Sequence, residues 1–256
     1  MSTVPKVLDM KLIGNLLNRI GVKENNPSRE SVNRWIRNRR AKIDSRRFVP
    51  GKSFSQCAED MIARSLIDTN SGRYVDIGSG HPVRGSNTYS LYRQGWSGLL
   101  VDPLRTNIEL SRKIRKRDTC VEALCTSSDQ PAVTFWEYTT YEYSTASPNQ
   151  VAELARRGHT AYDSYDLRSY SLENLVTAHG MLDARMLCID VEGMELEVLR
   201  GNNWKDFRPG IILVEEWESP PSRSTPIRQF LYDHDYDFVA FNRASSVFLS
   251  HTRGTI

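Results

Sequence analysis

Tyr74-Val75-Asp76-Ile77-Gly78-Ser79-Gly80, followed by Leu99-Leu100-Val101-Asp102-Pro103, decides how this chain reads. Each apolar run has the length of a buried β-strand and delivers a carboxylate toward its end. Gly78 and Gly80 stand where the backbone must turn tightly and let a ligand approach closely, which a Cβ would obstruct. Asp102 closes the second run, the place from which an acid in a nucleotide-binding sheet takes the two ribose hydroxyls. Together the two runs are the footprint of a nucleoside cofactor. Taken alone, the glycine loop fits a plain strand-to-helix turn equally well.

The glycine spacing separates cofactors. A dinucleotide fingerprint needs a third glycine three residues after the second, so that helix and strand pack closely while the helix N-terminus holds the pyrophosphate. Here Val83 occupies that place, with Pro82 before it. The loop is therefore better suited to a nucleoside without phosphates, which points to S-adenosylmethionine and away from NAD.

A chain of 256 residues is long enough to bury a full core. Its 34 Lys and Arg against 31 Asp and Glu leave a net charge of only +3, too little to argue for a nucleic-acid partner. The four cysteines, Cys57, Cys120, Cys125 and Cys188, show no C-x-x-C pairing, and Cys188 lies in an apolar strand pattern. Reduced thiols in a cytoplasmic protein are expected, with neither a disulfide framework nor a metal-thiolate site. The longest apolar runs, such as Ile211-Ile212-Leu213-Val214, are strand-sized, so no transmembrane segment is expected. The first apolar stretch, Val7 to Ile20, is interrupted by Asp9, Lys11 and Asn15, and reads as an amphipathic helix and not as a signal peptide.

Strands and helices alternate along the rest. Strands are expected at 73–77, 98–101, 119–125, 186–191 and 210–216, with helices at 54–69, 87–94, 104–116, 172–179, 194–200 and 225–234, Ser55 capping the first. Tyr236 to Phe241, a turn at Asn242-Arg243-Ala244, and Ser246 to Leu249 form a terminal hairpin. Alternation of this kind implies a parallel sheet covered on both faces. A doubly wound, Rossmann-like sheet ending in an antiparallel strand is the layout of class I methyltransferases, so the fold class is α/β of that type. Residues 53–256 form the expected methyltransferase domain, and residues 1–52 a basic helical N-terminal extension. In that extension Arg34 to Lys42, with Arg46 and Arg47 beyond, reads as a solvated helix docked through Trp35 and Ile36, or as a peripheral contact with an anionic surface. The stretch from 132 to 170, rich in Tyr, Thr and Ser, reads as an irregular insertion over the active site.

The chemistry concentrates in Leu187-Cys188-Ile189-Asp190-Val191-Glu192-Gly193-Met194-Glu195, where a buried strand delivers two carboxylates to its C-terminal end. Ligands of open α/β sheets lie outside those ends, so Asp190 and Glu192 should share a crevice with Asp76 and Asp102. The competing reading is that Asp190 only caps the following helix.

Asp190-Val191-Glu192-Gly193-x-Glu195-x-x-Val198-Leu199-x-Gly201 resembles the signature of the FkbM-type methyltransferases. Ser86-Asn87-Thr88 with Gly95-Trp96-Ser97-Gly98 resembles that family's stretch after the glycine loop. Ser55-Gln56-x-x-Glu59-Asp60 resembles its N-terminal helix motif, and Val214-Glu215 its fifth-strand motif. The resemblance runs from about residue 53 to 250 and leaves out His81-Pro82-Val83-Arg84. It implies S-adenosylmethionine-dependent methyl transfer to a hydroxyl of a sugar or glycosylated product. It also implies a cofactor site made of Gln56, Asp76, Gly78, Gly80, Asn87, Asp102, Pro103 and Asp190.

A methyl sulfonium is already an excellent donor, so the protein mainly aligns an acceptor oxygen and removes its proton. Asp190 is the first candidate for that base. Glu192 and Glu215 then hold neighbouring hydroxyls or, as an alternative, share a divalent ion with Asp190. His81 and His159 are rival bases, and Trp96, Trp136 and Trp217 are candidates for sugar stacking or core packing. An RNA ribose 2′-O-methyltransferase would share this fold, but its lysine-centred set is not apparent in the central strands.

Overall fold

The computed structural model describes residues 53–216 and 224–251. The N-terminal extension with its basic stretch, and Trp217, lie outside the described residues. In chain order the elements are α1 (Glu59–Ser65), β1 (Arg73–Ile77), α2 (Tyr89–Arg93), β2 (Ser97–Asp102), α3 (Arg105–Ile114), β3 (Thr119–Glu122), β4 (Leu124–Thr126) and β5 (Gln130–Glu137). After a 3₁₀ turn at Tyr141–Tyr143 come α4 (Pro148–Arg156), β6 (Asp163–Ser171), α5 (Leu172–Ala178), β7 (Met186–Ile189), α6 (Glu195–Arg200), β8 (Ile211–Glu215), α7 (Pro226–Tyr232), β9 (Tyr236–Phe241) and β10 (Ser245–Ser250).

The main sheet has seven strands in the order β3-β2-β1-β7-β8-β10-β9. Its strands from β3 to β8 are paired in parallel, and β10 runs antiparallel to both of its neighbours. This is the doubly wound layout with an antiparallel final strand. The central strands β7 and β8 are buried at every position, as a parallel sheet covered on both faces requires. The two-residue period of a strand sorts their side chains. Val75, Ile77, Leu99, Val101, Leu187, Ile189, Ile212 and Val214 pack in one core. Tyr74, Leu100, Met186, Cys188, Ile211 and Leu213 pack in the other.

Three local expectations are corrected. The expected strand at 119–125 is two strands: β3 ends on Glu122, and β4 leaves the main sheet to join a second one. The stretch from 132 to 170 is not irregular, for β5 and β6 pair antiparallel in that second sheet, ordered β4-β6-β5, and α4 lies between them. Its Tyr and Thr residues suit strands, but β5 buries only Phe135 fully, so no apolar alternation marks it. Finally, α1 is shorter than the periodicity predicts. Ala58 precedes it in the left-handed region with φ 68°, and Ser55 serves its first turn from outside the helix, its Oγ accepting from the Asp60 amide at 3.2 Å. The Asp60 carboxylate in turn gathers the preceding chain, accepting from Ser53 Oγ at 2.6 Å, Ser55 Oγ at 2.9 Å and the Phe54 amide at 3.0 Å.

All four cysteines are free, and burial pushes the Cys120, Cys125 and Cys188 thiols up. Among the described residues, no helix is long and apolar enough to cross a membrane.

Candidate active site

The C-terminal ends of β1, β2 and β7 open on a cleft of about 830 Å³. Gly78 explains how its floor closes. At φ 77° it is left-handed, and a Cβ there would stand 1.6 Å from the carbonyl oxygen of Asp190. The loop after β1 thus lies directly against the end of β7, and the Asp190 amide donates to the Ile77 carbonyl at 2.9 Å.

Asp102 is buried beside this loop. Its Oδ2 accepts from the Gly80 amide at 2.7 Å, and its Oδ1 accepts from the Leu104 amide at 2.8 Å and Asn107 Nδ2 at 3.1 Å. Burial pushes its carboxyl up to about 6 against the lowering effect of those bonds, so it is an anion at neutral pH. Three acceptor positions are engaged, leaving one on Oδ2 for an incoming hydroxyl. The expected grip on two ribose hydroxyls is therefore narrower than the sequence implies.

Gln56, Gly78, Gly80, Asp102, Pro103 and Asp190 all line the cleft, whereas Asp76 and Asn87 do not. Asp76 shares strand parity with Tyr74 and so faces the opposite side from Ile77, which does line it. Its Oδ2 accepts from Thr88 Oγ1 at 2.6 Å. Thr88 belongs to a buried polar network beneath the glycine loop that sequence reasoning missed. Arg115, fully enclosed, donates to Asp118 at 2.7 Å, to Tyr74 Oη at 2.7 Å, to Thr88 Oγ1 at 2.9 Å and to Ser86 Oγ at 3.1 Å. The Tyr74 hydroxyl in turn donates to Asp118 at 2.8 Å. The Ser86-Asn87-Thr88 motif is thus an anchor for the loop, and the motif itself is the signal, because Arg115 stands in the basic run Arg112-Lys113-Ile114-Arg115-Lys116-Arg117 with nothing to set it apart. Tyr74→Phe removes a donor to a buried carboxylate and should lower stability by about 1 to 3 kcal/mol. Urea melts check this, and an unchanged midpoint would deny the network its stabilising role.

Asp190, Glu192 and Glu215 do come together: each offers a carboxylate oxygen within 4.8 Å of the others. Asp190 and Glu192 are half-buried and Glu215 is buried. Glu215 hydrogen-bonds Asp190, while burial and then the Glu195 charge push the Asp190 carboxyl up to about 7. Burial and the charges of Asp190 and Glu195 raise Glu192 further. Asp190 is not the helix cap. Met194 precedes α6 without a side-chain cap, and Glu195 accepts from the Gly193 amide at 2.9 Å and the Val191 amide at 3.3 Å. Glu216, next to Glu215 and also on the outer cleft, is held by Arg228 at 3.1 Å, with further bonds from Thr225 and Ser246.

A second, wider cleft adjoins the first and shares with it Gln56, Arg84, Gly85, Tyr141, Glu142 and Glu192. The carboxylate cluster stands at this junction. Among the described residues lining either cleft there is no lysine. His81 is buried in the inner wall, with Nδ1 accepting from the Val83 amide at 3.1 Å and the Arg84 amide at 2.9 Å. That commits the Nδ1 lone pair to shaping the His81-Pro82-Val83-Arg84 loop and leaves the proton on Nε2, so His81 is poorly placed as a base. His159 is exposed on the outer cleft, 4.9 Å from the ring of Tyr143. Trp96 is fully buried in the core, and Trp136 lines neither cleft. Phe135 and Tyr141, from the insertion, are cleft residues the sequence did not mark.

A family model described as the methyltransferase FkbM domain matches residues 76–238, more than half of the chain. The chain belongs to the FkbM methyltransferase family. No curated protein matches it. Among solved structures, the FkbM methyltransferase of Methylobacillus flagellatus is similar with a TM-score of 0.46 at 11% identity, over 84% of this chain and 59% of that one. Monomeric WbdD is similar with a TM-score of 0.43 at 13% identity, over 80% of this chain and 43% of its own. The precorrin-6y C5,15-methyltransferase of Geobacter metallireducens has a TM-score of 0.41 at 11% identity, over 80% of this chain and 95% of that one. This FkbM-family chain thus spans 59% and 43% of the first two proteins' lengths. The family is one of methyltransferases, and it implies S-adenosylmethionine as the cofactor to test against the inner cleft. The inner cleft fits that group, with a buried anion at the end of β2, apolar Leu104, Leu124 and Phe135 on one side, and a glycine turn free of side chains on its floor.

Proposed function

We propose that this FkbM-family methyltransferase transfers a methyl group to a hydroxyl of a sugar or glycosylated acceptor, with Asp190 as the general base. The observation that carries the reading is the carboxylate cluster at the junction of the two clefts. S-adenosylmethionine, when bound, supplies the electrophilic methyl. The remaining work falls to the chain. Asp102 and the Gly78–Gly80 turn hold the nucleoside in the inner cleft. Asp190 accepts the proton of the acceptor hydroxyl, because an aliphatic alcohol is a poor nucleophile while it keeps that proton. Glu192, kept in the acid form by burial and its acidic neighbours, can donate as well as accept, and with Glu215 it orients adjacent hydroxyls, while Tyr141 and Tyr143 line the outer cleft. A wall rich in acceptor oxygens matches a neutral polyol better than a polyphosphate.

The direct test incubates the protein with methyl-labelled S-adenosylmethionine and a panel of methyl glycosides, with a ribose-containing RNA oligonucleotide as the competing acceptor. Label on a glycoside supports the proposal, and label on the RNA alone overturns it. Loss of activity on chelation and recovery with Mg²⁺ would move the three carboxylates from hydroxyl-binding groups to ligands of a divalent ion.

For the cofactor, Asp102→Ala is expected to weaken S-adenosylmethionine binding by about 1 to 3 kcal/mol, the usual loss for a hydrogen-bonded charged partner. Calorimetry measures it. Unchanged affinity in a folded variant, or tight binding of NAD by the wild-type protein, would remove β2 from the cofactor site.

A further inference from the structure

We infer that Thr145, on the insertion between β5 and α4, is a positioning residue that sets the Glu192 carboxylate in the cluster. This rests on the reading of Asp190, Glu192 and Glu215 as the reacting site. Glu192 has φ 55°, in the left-handed region, without being glycine. Such a residue is strained and persists only where its surroundings over-determine it. The surroundings are on view. The Thr145 hydroxyl donates to the Glu192 carbonyl at 2.7 Å and accepts from the Ser147 amide at 2.9 Å, so its proton has one direction to point. Thr145 is itself fully buried and bridges to Trp136 through both backbone groups, at 2.9 and 3.0 Å. On the other side of the turn, the amides of Val191 and Gly193 are held by Glu195.

The two faces of the turn therefore have different owners. Glu195 opens α6, the helix that follows β7 of the main sheet, and Thr145 belongs to the inserted segment, whose Tyr141 also reaches the glycine loop, 3.7 Å from the place of a Cβ on Gly80. Without the Thr145 hydroxyl the Glu192 carbonyl loses its partner, the peptide relaxes toward the ordinary negative-φ region, and the Glu192 carboxylate swings away from Asp190 and Glu215. The hydrogen bonds that shape the cofactor turn, from the Gly80 and Leu104 amides and Asn107 to Asp102, involve neither Thr145 nor Glu192, so cofactor affinity is the expected constant.

The test compares Thr145→Val, which keeps shape and loses the hydroxyl, with Thr145→Ser, which keeps it. Hydrogen exchange of the peptide covering 190–195 should quicken at least tenfold in the valine protein and stay near wild type in the serine protein. Exchange around Gly78 and the S-adenosylmethionine Kd should stay within twofold in both. Turnover of the methyl glycoside accepted best by the wild-type protein should fall at least tenfold for valine and recover with serine. Equal exchange in the two variants, or a valine defect that tracks cofactor affinity, overturns the inference. Quickened exchange with unchanged turnover overturns the reading of the cluster instead, as does a Glu192→Gln protein of full activity. Should the valine protein fail to fold, Thr145→Cys, similar in shape but only a weak donor, is measured against serine in the same way.

Discussion

Asp190→Asn is expected to leave the fold and most of the S-adenosylmethionine affinity in place while lowering turnover by about 10²- to 10⁴-fold, the range for lost acid-base assistance. Asparagine keeps the shape of the side chain and can cap a helix, so a merely structural Asp190 would tolerate it. The pH profile separates the readings further. Because the Asp190 carboxyl is pushed up to about 7, the wild-type rate should rise with pH through that value as the base loses its proton. The asparagine protein should show no such rise. Stability should move the opposite way. A carboxyl whose folded pKa exceeds its unfolded value of roughly 3.9 is held more tightly as the acid in the native state, so stability falls as pH climbs from about 4 through about 7. Asp190→Asn should therefore melt higher than wild type at pH 8. Near-normal turnover in the variant would pass the base role to Glu192 or His159, or to a metal-bound group.

Much of this architecture was legible because parallel sheets announce themselves. Runs such as Met186–Ile189 and Ile211–Val214 are apolar throughout, as a strand covered on both faces reads. The terminal hairpin was legible in two strand-like runs around the Asn242-Arg243-Ala244 turn, and the place of Asp190 and Glu192 in the Asp190–Glu192–Glu215 cluster in the rule that ligands gather at the C-terminal ends of parallel strands. Asp76 shows where position along the chain was a poor guide. It lies one residue from cleft-lining Ile77, but the strand alternates, and that one step sends it to the opposite core and to Thr88. Parity alone would have placed it correctly. The second sheet was harder to see, since β5 and β6 expose polar residues on both faces and their strand character comes from pairing. Arg115 could not be told from its basic neighbours, for nothing in the sequence shows that Asp118, Tyr74, Ser86 and Thr88 converge on it.

Gly78→Ala should be the most damaging single methyl in the molecule. Two costs coincide there. The left-handed φ of 77° penalises any L side chain by about 1 to 2 kcal/mol. The new Cβ would also sit 1.6 Å from the Asp190 carbonyl oxygen, backbone that no rotamer change can move. Relief requires the glycine loop to part from β7, which breaks the Asp190 amide to Ile77 carbonyl bond and separates the glycine turn from the proposed base. The expected loss exceeds about 4 kcal/mol, the rare end of single substitutions and a large part of the roughly 5 to 15 kcal/mol that holds a domain together. Gly80→Ala is the control. Its φ of 55° carries the same conformational penalty, yet the nearest atom outside its own loop, Tyr141 Cε2, lies 3.7 Å from the new Cβ, an ordinary contact. That protein should fold and lose only about 1 to 2 kcal/mol. Thermal melts of the pair decide the matter. If Gly78→Ala melts alongside Gly80→Ala and still binds S-adenosylmethionine, the close seat of the loop against the end of β7 is not what builds the site.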